Sequence, residues 1–315
     1  MKYNILGRTG LRVSKLCFGA LTIGPLQANL PLQTGAKVMM KAFEAGVNFI
    51  DTAQLYQTYA YIREALVGRK NDIIISSKSY AYTYEDMKKS VEQACRSVNR
   101  EYIDIFMLHE QTSRLTLRGH QEALEYLLDA KKEGIIRAVG VSTHTVEVVR
   151  AAALMDEIDV IHPILNMKGI GICDGDTEDM LSAIEFAHYM GKGIYTMKAL
   201  GGGHLSLNAR EAFEWILAQP NIHAVAVGMQ TLDEVALNCN VFAQGFFDTE
   251  LAKAVAAQKR TLLIEDWCTG CGTCVERCQM NALTIRGGHA VANMVRCVLC
   301  GYCGASCPEF CIKII

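Results

Sequence analysis

IIISSKSYAYTYEDMKKSVEQACRSVNREYIDIFMLHE, residues 73–110, contains the repeating unit of this chain. A short apolar run, Ile73–Lys78, ends in a cation. A longer stretch, Thr83–Asn99, opens on the turn Tyr84-Glu85-Asp86 and repeats apolar residues at helical spacing. A second apolar run, Ile103–His109, closes the unit. Short apolar runs around an amphipathic helix read as parallel strands covered on both faces.

The unit recurs in both directions. Further strands are expected at Lys15–Ala20, Val47–Asp51, Ile136–Ser142, Val160–Leu165, Gly193–Lys198 and His223–Gly228, making eight. Helices are expected at Gly35–Ala45 (Val38, Met39, Ala42 and Ala45 on one face), Arg118–Glu133 and Thr145–Met155. Glycine marks helix ends at Glu44-Ala45-Gly46 and Lys132-Glu133-Gly134, because it tolerates the left-handed turn there. Eight alternating units predict an α/β fold, a (β/α)8 TIM barrel. Tyr3–Leu6, Gly7-Arg8-Thr9-Gly10 and Leu11–Val13 read as a hairpin closing the barrel floor.

Residues 268–307 break this pattern. Cys268, Cys271, Cys274 and Cys278 repeat their spacing in Cys297, Cys300, Cys303 and Cys307, the last followed by Pro308. This is the run of two-cluster [4Fe–4S] ferredoxins, in which the fourth cysteine of each run ligates the other cluster. One cluster is therefore assigned Cys268, Cys271, Cys274 and Cys307, and the other Cys297, Cys300, Cys303 and Cys278. The competing reading is a pair of zinc knuckles; all eight positions agree with the iron–sulfur pattern instead. Gln279 stands where the pattern has a second proline. Cys311 lies outside both runs and is expected to be a small buried apolar residue. The chain thus divides into a barrel over 1–257 and a ferredoxin-like two-cluster domain over 258–315, with Gln258–Leu263 as the connection.

Composition sets the limits. Half of the 315 residues are apolar, enough for a large core, and the net charge of −2 supports neither nucleic-acid nor membrane partners. Of 13 cysteines, the five outside the runs (Cys17, Cys95, Cys173, Cys239 and Cys311) are scattered, which reads as a reducing cytoplasm. The opening MKYNILGRTGLRV has no apolar leader core.

Function in a barrel belongs at the C-terminal strand ends. Strand two runs into Asp51-Thr52-Ala53-Gln54-Leu55-Tyr56, strand three ends at Lys78 and strand four at His109-Glu110. Singly, Asp51 could cap a helix, Lys78 could be solvated, His109 could be a core histidine and Tyr56 could pack. Together they bring an acid, a phenol, an ammonium and an imidazole to one rim.

On DTAQLY (51–56), Lys78, His109, GVSTH (140–144), MKALGGG (197–203) and VGMQTLDEVALN (227–238), roughly the first 240 residues resemble an aldo-keto reductase. The whole chain resembles the bacterial type with a fused ferredoxin-type domain. The resemblance implies a catalytic tetrad of Asp51, Tyr56, Lys78 and His109, and a nicotinamide dinucleotide across the barrel mouth. Reducing a carbonyl by hydride builds an alkoxide, which needs a proton. Tyr56 is expected to supply it, with Lys78 lowering its pKa, Asp51 holding Lys78 and His109 orienting the carbonyl.

The dinucleotide contacts carried over are Ser142, Thr143, His162, Met197, Lys198, Leu200, Gly201, Gly202, Gly228, Glu234 and Asn238. Three depart from the family's pattern: Thr143 replaces an asparagine, His162 a glutamine and Met197 a tyrosine. Lys198, the nearest basic side chain, has the alternative reading of a solvent-facing charge. Residues 228–238 contain no lysine or arginine but include Asp233 and Glu234. A 2′-phosphate wants a basic partner, so NADP requires one from another segment, and NAD or FMN remain alternatives. The substrate is expected to be a small carbonyl or quinone, near Leu21, Ile23, Leu26, Gln111 and Arg114. Nicotinamide moves electrons in pairs and each cluster moves one. The first reading is an NAD(P)H-linked carbonyl reductase. The second is an electron-transfer protein with a ferredoxin or flavoprotein partner.

Overall fold

The computed structural model describes residues 1–69 and 72–315. Strands β3 (Leu16–Gly19), β4 (Phe49–Asp51), β5 (Ile74–Ser79), β6 (Ile103–Gln111), β7 (Ile136–Thr143), β8 (Val160–Pro163), β9 (Gly193–Thr196) and β10 (Ala224–Gly228) close into one parallel barrel. β10 pairs with β3 from Val225 on Leu16 to Gly228 on Gly19, which completes the ring. Each expected strand is present, shorter or longer by up to two residues at an end.

Ahead of the barrel, β1 (Tyr3–Ile5) and β2 (Arg12–Ser14) pair antiparallel. Leu6, Leu11 and Val13 plug the barrel interior, packed with Phe49, Ile105, Met107, Val160 and Tyr195. A second, larger layer lies between the strands and the surrounding helices, where Phe18, Ile50, Val91, Leu127 and Ile184 are buried. Both strand faces are thus covered, which is why the strands read as continuous apolar runs.

The helices obey their local signals. Thr83 caps the helix Tyr84–Val98 by accepting from the Asp86 amide, and Thr145 caps Val146–Ala153 through Val148. One expectation fails. Arg118–Glu133 is not one helix: Arg114–Gly119 ends at His120, and Gln121–Lys132 starts after it. Ser113 and Thr116 form a capping box that starts the first piece early, and Gly119-His120 interrupts it.

The helix Thr249–Ala256 precedes the tail. There β11 (Leu262–Ile264) pairs antiparallel with the C-terminal β14 (Ile312–Ile314), and β12 (Leu283–Arg286) with β13 (His289–Ala292) across Gly287-Gly288. The two cysteine runs adopt matching shapes: short helices Thr273–Arg277 and Tyr302–Ala305, each entered from a left-handed glycine. The tail seats on the barrel mouth. Phe310 is 4 % exposed and belongs to the barrel's core. His204 Nε2 lies 2.8 Å from the Ile312 carbonyl oxygen. Gly203, at φ 92°, passes so close to β14 that any Cβ there would collide with the Ile314 carbonyl.

Candidate active site

Asp51, Lys78 and His109 come from the ends of three adjacent strands, and Tyr56 from the single-turn helix Gln54–Tyr56 that follows β4. Lys78 is 1 % exposed and is held by both Asp51 oxygens at 2.9 Å and by the Thr52 carbonyl at 2.8 Å. Its Nζ lies 4.9 Å from the centre of the Tyr56 ring. The Tyr56 and His109 rings meet edge to face at 5.6 Å. Asp51, Tyr56, Lys78 and His109 all line one cavity of about 1400 Å³.

Lys78 does not set the Tyr56 pKa as expected. Burial, followed by the carboxylates of Asp51 and Glu110, pushes the Tyr56 phenol well above its ordinary value. The Asp51 carboxylate beside the ammonium offsets its field, so burial and negative charge dominate at the phenol. His109 moves the other way: burial, then Lys78, pulls it well below the ordinary imidazole value, so it is neutral.

Sequence reasoning missed several residues of the site. Tyr195, on β9, donates to Asp51 Oδ1 at 2.7 Å and stacks on His162 at 3.9 Å. His162 Nδ1 lies 2.7 Å from the Tyr195 carbonyl, and burial draws its pKa down to about 4 against the opposing pull of Asp51. Tyr80 stacks on His109 at 4.3 Å and its hydroxyl donates to Glu110. Glu110 sits at φ 46° where the pairing of β6 with β7 shifts register, a strained geometry common beside active sites. Gly-Ile-Tyr-Thr reads as an ordinary strand, so nothing in it marked Tyr195 as pointing inward.

The expected dinucleotide residues divide. Ser142, His162, Met197, Lys198, Leu200, Gly202, Gly228, Glu234 and Asn238 line the cavity. Thr143 does not: it is fully buried, and its hydroxyl donates to the Gln111 carbonyl at 2.7 Å. Gly201 faces Ile170 and Leu205 instead. Lys198 is not a solvent-facing charge; its Nζ lies 4.5 Å from the centre of the Phe310 ring. Leu21 and Leu26 face the cavity, whereas Ile23 and Gln111 are buried in the protein and Arg114 lies elsewhere. The connection brings a basic side chain against residues 228–238. Arg260 donates to Ser206 Oγ at 2.8 Å, lies 3.6 Å from Glu234, and lines the cavity beside Lys259.

In the tail, Cys268, Cys271, Cys274 and Cys307 line one pocket, the set that crosses between the two runs. The Ala290 amide donates to Cys268 Sγ at 3.4 Å, which favours its thiolate, and the Ala282 amide donates to Cys278 Sγ at 3.3 Å. Cys303 neighbours Cys297 and Cys300. Among the described residues no three His, Cys, Asp or Glu side chains converge at the spacing of a single metal ion. Four thiols around one pocket are the soft donor set an iron–sulfur cluster takes. Cys311 is buried but not merely apolar: its Sγ is 3.4 Å from that of Cys307, on the same pocket.

The profile of the 4Fe-4S binding domain matches residues 262–284. The uncharacterized oxidoreductase YqkF of Bacillus subtilis is 25 % identical over 292 residues, covering 76 % of this chain and 90 % of that protein. L-galactose dehydrogenase of Arabidopsis thaliana is 23 % identical, covering 70 % and 72 %. An aldo-keto reductase from Bacillus halodurans, solved in its holo form, superposes with a TM-score of 0.65 over 81 % of this chain and 96 % of that one, at 21 % identity, a likeness of fold. Among the described residues no helix is long and apolar enough to cross a membrane. The aldo/keto reductase profile matches residues 15–212, from the barrel's first strand into the helix after its seventh; the chain belongs to that family and is an oxidoreductase of its type, joined to a 4Fe-4S binding domain.

Proposed function

We propose that the barrel reduces a small carbonyl compound at the expense of NAD(P)H, with Tyr56 as general acid. The observation that carries this is the convergence of Asp51, Tyr56, Lys78 and His109 on one cavity wall. The cavity, at about 1400 Å³, exceeds the usual drug-sized pocket and can take a dinucleotide with substrate. Ser142, His162, Met197, Leu200, Gly202, Gly228, Glu234 and Asn238 would hold the dinucleotide, and Arg260 beside Ser206 offers a 2′-phosphate partner, which favours NADP over NAD. When bound, the nicotinamide supplies the hydride.

The protein's own part is protonic. A phenol held protonated by burial gives its proton to the oxygen as negative charge develops there. Neutral His109 donates a hydrogen bond to the same oxygen and orients it. Lys78, locked by Asp51, sets the electrostatic background. A raised Tyr56 pKa makes reduction the easy direction at neutral pH and leaves alcohol oxidation, which needs the phenolate, to alkaline pH.

In the tail, Cys268, Cys271, Cys274 and Cys307 would hold one [4Fe–4S] cluster and Cys297, Cys300, Cys303 and Cys278 the other. One observation keeps the electron-transfer reading in play: Phe310, three residues past Cys307, is buried in the barrel's core at the mouth of the cavity. In that reading a reduced ferredoxin or flavoprotein is the partner.

Tyr56→Phe tests the proposal. Turnover of a test aldehyde should fall by roughly 10²–10⁴-fold, the usual worth of a general acid, while dinucleotide affinity by calorimetry stays within about twofold because no binding surface is removed. Normal turnover in this variant would sink the reductase reading.

A further inference from the structure

Two lysines lining the cavity, the half-buried Lys198 and the buried Lys313, differ from the other buried ones. Lys78 has Asp51, and Lys192, 1 % exposed, donates to the carbonyls of Met155 and Ile158 at 2.5 and 2.7 Å. Lys313, on β14 and 6 % exposed, donates among the described residues only to the Phe310 carbonyl. Lys198, after β9, makes no side-chain hydrogen bond among the described residues, and neither forms an ion pair with a carboxylate there. Their ammonium groups lie 4.5 and 3.8 Å from the centre of the same Phe310 ring. Both line the cavity that holds Tyr56 and His109. Lys198 is set at φ 59°, a left-handed backbone uncommon for a side chain of this kind. Glu110 and Glu265 are the carboxylates whose charge reaches Lys198, and Glu265 also reaches Lys313.

Placing two amines against one ring, without a paired carboxylate, disfavours their charged forms and draws Lys313 down to about 7, so an anion seated between them would favour the charged pair. The ring face offsets part of this by cation–π attraction. We infer that Lys198 and Lys313 form an anion site shared by the barrel and the cluster-bearing tail, taking a phosphate or carboxylate group of the ligand that lies over Tyr56. The inference deepens the carbonyl-reduction reading, yet the site binds its anion whether or not that chemistry occurs. A phosphate would be the dinucleotide's own; a carboxylate would make the substrate an acidic carbonyl compound. Lys313 lies six residues past Cys307, so the tail completes the pocket rather than merely covering it.

The test is calorimetry on the anaerobically purified full-length protein with its clusters intact. The probes are inorganic pyrophosphate, NADP⁺, 4-carboxybenzaldehyde and benzaldehyde. Lys313→Met should weaken at least one anionic probe by about tenfold, and Lys313→Arg should restore it to within about threefold, since charge rather than packing is what matters. Joint weakening of pyrophosphate and NADP⁺ identifies phosphate. Weakening of 4-carboxybenzaldehyde without benzaldehyde identifies carboxylate. If Lys313→Met loses its visible cluster absorption, Lys198→Met on the barrel side carries the same comparison. Every anionic probe within twofold of wild type, or benzaldehyde weakened as much as the anions, overturns the inference. Absence of aldehyde turnover in the wild-type protein, with anion binding intact, would count against the reductase reading alone.

Discussion

Around the barrel, Phe18, Phe49, Phe106, Phe213 and Phe242 are all almost wholly inaccessible, and aliphatic residues from every strand join them. From Leu262 onward the packed apolar cluster shrinks to Leu262, Leu283, Ala290, Ile312, Ile314 and three cysteines, and the tail's single phenylalanine, Phe310, is buried in the barrel's core instead of its own. The barrel is held by apolar packing. A segment as short as the tail needs bonds of another kind, and its cysteines supply them as metal ligands. The two parts should therefore respond to different insults, although they share one cavity.

The largest effect should come from removing the iron. Chelation or Cys307→Ser should leave the tail protease-sensitive between Glu265 and Ile315 while the barrel keeps its far-ultraviolet signal and its thermal transition. A resistant tail in iron-free protein would mean that its small core suffices. Next is Phe310→Ala, which empties a buried aromatic site at the junction. By the usual cost of such a cavity it should destabilise the docked tail by about 3–5 kcal/mol, read as earlier release of the tail in denaturant. A change confined to the barrel's own transition would show that Phe310 serves the barrel alone.

The smallest effect lies inside the barrel and depends on pH. His162 has a folded pKa near 4, against about 6.5 in an unfolded chain. The unfolded chain takes up the proton first as pH falls, so the His162 contribution is complete above about pH 6.5 and is lost on the way down to about pH 4. In that window stability should fall by up to about 1.4 kcal/mol per pH unit on this account. His162→Gln should flatten the slope by that amount, measured by denaturant unfolding at several pH values. Equal slopes would show that His162 does not stay neutral.

The same contrast governs what could be read from the sequence. Strand positions were legible because short apolar runs must be covered on both faces, and Thr83 and Thr145 announced their helices by capping them. That Asp51, Lys78 and His109 would meet on one rim was legible because they sit on strand ends, where the fold fixes direction. That Cys307 would join Cys268, Cys271 and Cys274 around one pocket was legible from spacing. What failed was tertiary: Tyr195 contributes through the direction of one side chain in an ordinary strand, and Arg260 through where a connecting segment happens to lie. Phe310 and Lys313 meet Lys198 only because β14 docks over Gly203. The expected lowering of the Tyr56 pKa failed for the same reason, since Asp51 holds the ammonium that was to act on the phenol.

Anaerobic mixing of the full-length protein with NADPH and an aldehyde, following nicotinamide and cluster absorption together, tests the central claim most directly. The account predicts that NADPH alone supports turnover, that alcohol forms in step with nicotinamide oxidation, and that the cluster bands do not change. Inert NADPH, with reduced ferredoxin or flavin driving turnover and bleaching the clusters, would contradict it.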